Sequence, residues 1–296
     1  MSEKKLEIFK YLVTDYLSEK SLELNCSGLI INSFEYSCFP GIKFTKEKTL
    51  NIVKSIKSSD KVSILNCDKI IHENEINIYR EYLLSFINEV DYIIYSDYSI
   101  LTIIEEKYYD KLIYDPKTLV CSYNELNTLD TKAFISSELS MDELSEIVYN
   151  AKPNKLCINA FGYHQIMYSK RNLISLYNNH LGNKLLDRET IYDLKEEQRE
   201  DLYKIVENDR GTFIYTHFIY ALLENLNIIK DKVFMFRINS FLLDENIELI
   251  IDKYNALVFE KDIDRQKAII LDINKNFPNA KPGFLKDELY LLKNKN

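Results

Sequence analysis

INAFGYHQIMYSKRNLISLYNNHLG, residues 158–182, opens as an apolar strand and then fills with polar groups. His164, Gln165, Tyr168, Lys170 and Arg171 fall close together, and Asn178, Asn179 and His180 follow. A strand that ends in such a cluster delivers side chains to a pocket. Its apolar part, KLCINAFG (155–162), closes a series. FKYLVTDY (9–16), SGLIINSF (27–34), KVSILNC (61–67), DYIIYSD (91–97), KLIYD (111–115) and AFISSEL (133–139) are earlier runs of strand length. Between them lie helical patterns. TKEKTLNIVKSIKSS spaces Leu50, Val53 and Ile56 for one helix face, and ENEINIYREYLLSFINEV does the same with Ile76, Tyr79, Leu83 and Ile87. ILTIIEEKYYD reads as a further helix, and SMDELSEIVYNA starts with Ser140 and Glu143 at capping-box spacing.

This β/α alternation predicts parallel strands with helices outside. Seven strands in series by Gly162 suit a (β/α) barrel, with an open doubly wound sheet as the alternative. The pattern then breaks. Residues 172–210, including DLKEEQREDLYKIVEN, are polar and helix-prone. That is too long for an ordinary connection. It predicts an inserted helical subdomain or a lid. GTFIYTHF (211–218) and VFMFRINSF (233–241) then resume the strands, and DENIELIIDKYNALVFEKD is a last amphipathic helix. With no internal repeat or low-complexity linker, residues 1–296 read as a single domain.

The chain has 296 residues, is 46% hydrophobic and carries a net charge of -8. That is ample for a large core. The acidic balance argues against non-specific nucleic-acid binding by the whole surface. Cys26, Cys38, Cys67, Cys121 and Cys157 are scattered, without CxxC or zinc spacing. The opening MSEKKLEIFKYLV lacks a signal-peptide core, and no stretch is apolar enough to span a membrane. These features predict a cytoplasmic protein with reduced thiols. GxGxxG, GxxxxGK[ST], GxSxG and HExxH are all missing. His72, His164, His180 and His217 could each assist a nucleophile, but no motif selects one.

Sites in parallel α/β folds lie at the carboxyl ends of strands. That rule selects Asn66 and Cys67, Ser96 and Asp97, Asp115, Ser137 and Glu138, the 162–171 cluster, and Arg237 with Asn239. His164 is the favoured acid/base group. Arg171 and Lys170 would hold a carboxylate or phosphate, or form a solvated helix start. Glu138 would act as base or anchor Arg171 or Arg237. Arg237 lies in an apolar strand and needs a partner, so it is a ligand clamp or half of a core ion pair. Asn66 and Asp97 also fit ordinary turn chemistry. Tyr92, Tyr95 and Tyr98 could stack bases, although 22 tyrosines suit general filling better.

The run FGYHQIMYSKRNLI resembles the signature segment of the collagenase-like peptidase family. SSELSMDEL (136–144), NDRGTFIYT (208–216), FMFRINSF and KPGFLKDELYLL (281–292) resemble further family segments in the same order. The resemblance implies a TIM-barrel-like fold. It is strongest to the shorter member of a two-protein pair. That pair is implicated in prephenate-dependent 5-hydroxylation of the tRNA wobble uridine. Many family members hold an iron–sulfur cluster on cysteines in and after the signature segment. Here no cysteine follows Phe161, and a cluster needs about four thiolates. Ser137 also replaces the arginine that usually precedes the acidic residue of the strand-end motif. The expectation is a subunit without its own cofactor, acting beside a longer, cluster-bearing paralogue. It would meet tRNA through the complex and engage neither DNA nor membrane. Its pocket, with His164, Glu138, Tyr168, Arg171, Arg237, Asn239 and Asn66, would bind a small carboxylate or the partner. A collagenase-like peptidase and a non-catalytic binding module are the alternatives.

Overall fold

A computed structural model describes residues 11–183, 186–197, 200–243 and 246–286. The charged opening residues 1–10 and the end of the tail segment, 287–292, lie outside them. In chain order come β1 (Tyr11–Asp15), β2 (Gly28–Asn32), α1 (Lys46–Ser58), β3 (Val62–Cys67), α2 (Ile76–Leu84), β4 (Tyr92–Tyr95), α3 (Ile100–Ile103) and β5 (Leu112–Tyr114). Then follow α4 (Tyr123–Thr128), β6 (Lys132–Phe134), α5 (Met141–Asn150) and β7 (Leu156–Gly162). The next elements are β8 (Gln165–Ser169), α6 (Leu173–Leu181), β9 (Tyr192–Lys195), β10 (Leu202–Asn208), β11 (Gly211–Tyr215) and β12 (Ile219–Ala221). The last are α7 (Leu226–Ile229), β13 (Met235–Ile238), α8 (Ile247–Phe259), α9 (Ile263–Asn276) and β14 (Ala280–Lys281). Strands β1 to β7 pair in parallel, each with the next, and β13 pairs in parallel with both β7 and β1. Eight parallel strands therefore close into a TIM-barrel-like fold, with helices between them. At α5 the expected capping box is present, with Ser140 and Glu143 bonding reciprocally.

Closure follows from the side chains. Val13, Ile30, Ile64, Ile94, Ile113, Phe134, Cys157 and Met235, from all eight strands, form one buried cluster inside the barrel. A larger apolar cluster lies between the strands and the outer helices. Two residues further along, a strand's period of two returns the chain to the same face. There the sequence turns polar on every strand, with Asp15, Asn32, Asn66, Ser96, Asp115, Ser136, Asn159 and Arg237. The barrel thus has an apolar middle and a polar carboxyl end.

The insertion between β7 and β13 is only partly helical. α6 is a helix, but DLKEEQREDLYKIVEN forms β9 and β10. They join β8 and β11 in a four-stranded antiparallel sheet, in the order β8-β11-β10-β9. GTFIYTHF likewise serves this second sheet and not the barrel. Tertiary pairing overrides helix propensity here. Val206 faces Phe213 across the β10–β11 ladder, both buried, and Lys204 pairs with Asp193 on β9. Asn208 and Gly211 pair at the hairpin end and leave Asp209 and Arg210 as a two-residue turn. Gly211 has φ +132°, and a β-carbon there would overlap the Ser169 carbonyl.

The chain leaves the barrel for this sheet at Gly162. Its φ is +125°, and an added β-carbon would lie 2.6 Å from the Asn239 carbonyl oxygen and 2.7 Å from the Asn239 β-carbon. Backbone cannot yield as a flexible side chain can. Gly162→Ala is expected to destabilise the fold by about 2–3 kcal/mol. A urea midpoint unchanged from that of the parent chain would show that the exit can relax.

Candidate functional site

The second sheet stands over the carboxyl end of the barrel. Arg210 fastens it there, donating to the carbonyls of Phe34 and Glu35 with its guanidinium over the Phe34 ring. Two connected chambers lie between barrel and sheet. The inner one, about 40 Å³, is lined by Asn159, His164, Arg237, Asn239, Tyr215 and Ser137, among others. The outer one, about 380 Å³, has Tyr114, Leu119, Ile166, Met167, Tyr168 and Phe213 in its walls. Cys38, Asp68, Asp115, Lys117 and Gln165 border both.

The inner floor is an ionic network. Arg237 donates to Asp15 at 3.1 Å and lies 3.7 Å from Asp115. Asp15 also accepts from Asn32 at 3.0 Å and from the backbone and hydroxyl of Ser240, both at 3.0 Å. Lys117 bridges Asp68 at 2.9 Å and Asp115 at 2.8 Å. Asp68 further accepts from Ser37 and from the Cys38 amide. Lys117 has φ +65°, a left-handed conformation unusual for a side-chain-bearing residue, and its amide donates to Asp115.

Electrostatics follow from these partners. Burial alone would raise the Asp68 carboxyl, but Lys117 and the Cys38 amide outweigh it and hold it below the ordinary value. Burial would lower Lys117 and Arg237; their carboxylate partners outweigh it and raise both. Burial, with Arg237 and Lys117 nearby and only Asp115 opposing, pushes His164 down to about 3. His164 is therefore a neutral imidazole at pH 7. Its ring stacks on Tyr220 at 4.5 Å, and its Nε2 is buried without a partner among the described residues. Burial and Asp68 raise the Cys38 thiol, so it is held protonated and is a poor nucleophile.

The structure gathers some of the expected residues and disperses others. His164, Arg237 and Asn239 line the inner chamber, and Tyr168 the outer one. Tyr168 donates to the Arg210 carbonyl and stacks on Phe213 at 5.0 Å. Asn239 donates to the Tyr163 carbonyl and accepts from the Phe241 amide. Asn66 is buried beneath, donating to Asn32 and Ser37. Glu138 and Arg171 are exposed and border neither chamber; Ser137 takes the place expected of Glu138. Arg171 follows β8, whose course carries it away from the barrel mouth. Lys170 reaches His72 at 3.4 Å on the rim. His217 pairs with Asp201 beside the second sheet. Asp15, Asp68 and Lys117 were not singled out from the sequence. The signal for Asp15 was present, as the polar residue two positions after a buried Val13. Asp68 and Lys117 follow their strands in loops, where Asp and Lys are unremarkable.

An iron–sulfur cluster does not fit this donor set. Cys26, Cys38, Cys67 and Cys157 are each buried, and Cys157 is walled into the barrel interior, where burial raises its thiol. Among the described residues no group of three His, Cys, Asp or Glu side chains could hold a metal ion.

Comparison with known families puts these features in context. The model for peptidase family U32 matches residues 38–245, well over half of the chain. The chain belongs to peptidase family U32. The matched span of this U32 chain takes in both chambers' shared border and all four strands of the second sheet. The solved U32 peptidase Mk0906 is similar over 81% of this chain and 95% of its own, at 12% identity and TM-score 0.49. Thiamine phosphate pyrophosphorylase from Pyrococcus furiosus is similar over 85% and 96%, at 11% identity and TM-score 0.42. The spore cortex-lytic enzyme SleL of Bacillus cereus is similar over 84% and 74%, at 9% identity and TM-score 0.40. No curated protein matches. Among the described residues no helix is long and apolar enough to cross a membrane.

Proposed function

We propose that this U32 chain is a subunit of a tRNA wobble-uridine 5-hydroxylation system. It acts in the cytoplasm beside a longer, iron–sulfur-bearing paralogue. Prephenate is the co-substrate of the system. The observation that carries the reading is the placement of the thiols in a chain of this family. None follows Phe161, Cys157 is sealed inside the barrel, and Cys38 is held protonated. Redox chemistry on thiolate-bound iron then belongs to another chain. Charge supports the same division. Arg237 and Lys117 are already engaged by carboxylates, so an anionic co-substrate finds no free cation on the inner floor. At -8 overall, this chain meets tRNA through the complex.

Nucleoside mass spectrometry on tRNA from cells with and without the gene tests this. The expected result is loss of 5-hydroxyuridine derivatives on deletion. An unchanged profile would sink the role. The family match favours a second reading, a collagenase-like peptidase. Cleavage of gelatin by the purified chain, with an unchanged tRNA profile, would establish that reading instead.

A further inference from the structure

The two chambers differ in chemistry and meet at Asp68, Asp115, Lys117 and Gln165. The outer walls, with Tyr114, Leu119, Met167 and Tyr168, accept an apolar body of about ring size. The inner chamber is lined by two carboxylates, Asp68 and Asp115, and two cations, Lys117 and Arg237, and Arg237 is also bonded to the buried Asp15 beneath. Each of these charges already has an opposite partner. His164 adds none, being neutral.

An anionic head placed there would lose its water with both cations already paired. A cationic head would meet Lys117 and Arg237 at the same floor. A neutral head with donors and acceptors avoids both costs. It also meets an unfilled requirement, because the Nε2 of His164 has no partner among the described residues although the residue is only 7% exposed. A buried polar atom left without a partner is destabilising, and a ligand hydrogen bond would relieve it. Asn159, Gln165 and Asn239 surround the same space with amides.

We propose that the chambers form one binding site for a small molecule with a ring-sized apolar body and an uncharged hydrogen-bonding head, and that the site rejects a carboxylate head. The assignment does not rest on the tRNA role.

The test is a series on one scaffold, with phenylpropanamide, phenylpropanoate and phenylpropylamine titrated into the full chain at pH 7 and followed by ligand-observed NMR. The amide should bind in the millimolar range, with the other two roughly tenfold weaker or more. The variant Asp68→Asn leaves Lys117 with one carboxylate partner in place of two, and once its circular dichroism matches the parent it should narrow the gap between carboxylate and amide. A carboxylate or amine that binds the parent as tightly as the amide overturns the proposal, and so does absence of binding by all three. None of these outcomes bears on the tRNA profile, so the two readings fail separately.

Discussion

Arg237→Ala should lower the unfolding free energy by about 3–5 kcal/mol, the usual cost of removing one partner from a buried ion pair. Arg237 is 4% exposed and Asp15 fully buried. Removing the guanidinium leaves Asp15 and Asp115 facing each other in a low-dielectric interior. Asp15 keeps Asn32 and Ser240 as donors, which sets the upper bound on the loss. Arg171→Ala is the control. Its side chain is exposed, and the change should stay within about 0.5 kcal/mol. Urea denaturation of both variants decides the matter. An Arg237→Ala protein as stable as the parent would mean that the floor does not depend on this pair. A double-mutant cycle with Asp15→Asn should return a coupling of about 1–3 kcal/mol, because the two side chains share a direct contact.

The second large effect is on pH dependence. His164 titrates near 3 in the folded chain and near 6.5 in an unfolded one. Its folded value is depressed, so the unfolded state binds more protons between those limits. The contribution is full above pH 6.5 and is lost as pH falls toward 3. At about 1.4 kcal/mol per unit the full loss is roughly 5 kcal/mol. Asp68 adds to the acid limb, its folded value being held below the ordinary one by Lys117, but only below about pH 4. The groups facing His164 are Asp115, Arg237 and Lys117. Between pH 6.5 and 4.5 the histidine therefore dominates among these groups. His164→Gln keeps a polar side chain and removes the titration. Its stability should fall less steeply than that of the parent across this window. Parallel curves would mean that the imidazole opens to water on protonation and is not held neutral by burial.

Much of the barrel was legible because its signals are local. The runs at 27–34, 61–67, 91–97, 111–115 and 155–162 bracket β2, β3, β4, β5 and β7. The helix expected over TKEKTLNIVKSIKSS is α1, and the Ser140–Glu143 cap holds. Apolar period and turn chemistry act over a few residues, so a single chain displays them. DLKEEQREDLYKIVEN failed for the opposite reason. Its charges suit a helix in isolation, but β11 offers a ladder and a buried Phe213 to a chain that can alternate. No window around residue 200 contains that partner.

The sequence by itself determined the alternation of strands and helices up to Gly162, the scattered thiols and the acidic net charge. It also marked His164, Tyr168, Arg237 and Asn239 at strand ends. Only the tertiary structure decided which charges meet. Arg237 and Asp15 lie 222 residues apart, and Lys117 and Asp68 lie 49 apart. Closing the barrel between β13 and β1 brings the first pair together, and the ends of β3 and β5, on either side of β4, bring the second. Burial then makes each pairing obligatory, because a charge removed from water needs an opposite one within reach. Glu138 and Arg171 carry the same chemical types at neighbouring positions, and exposure leaves them without that constraint.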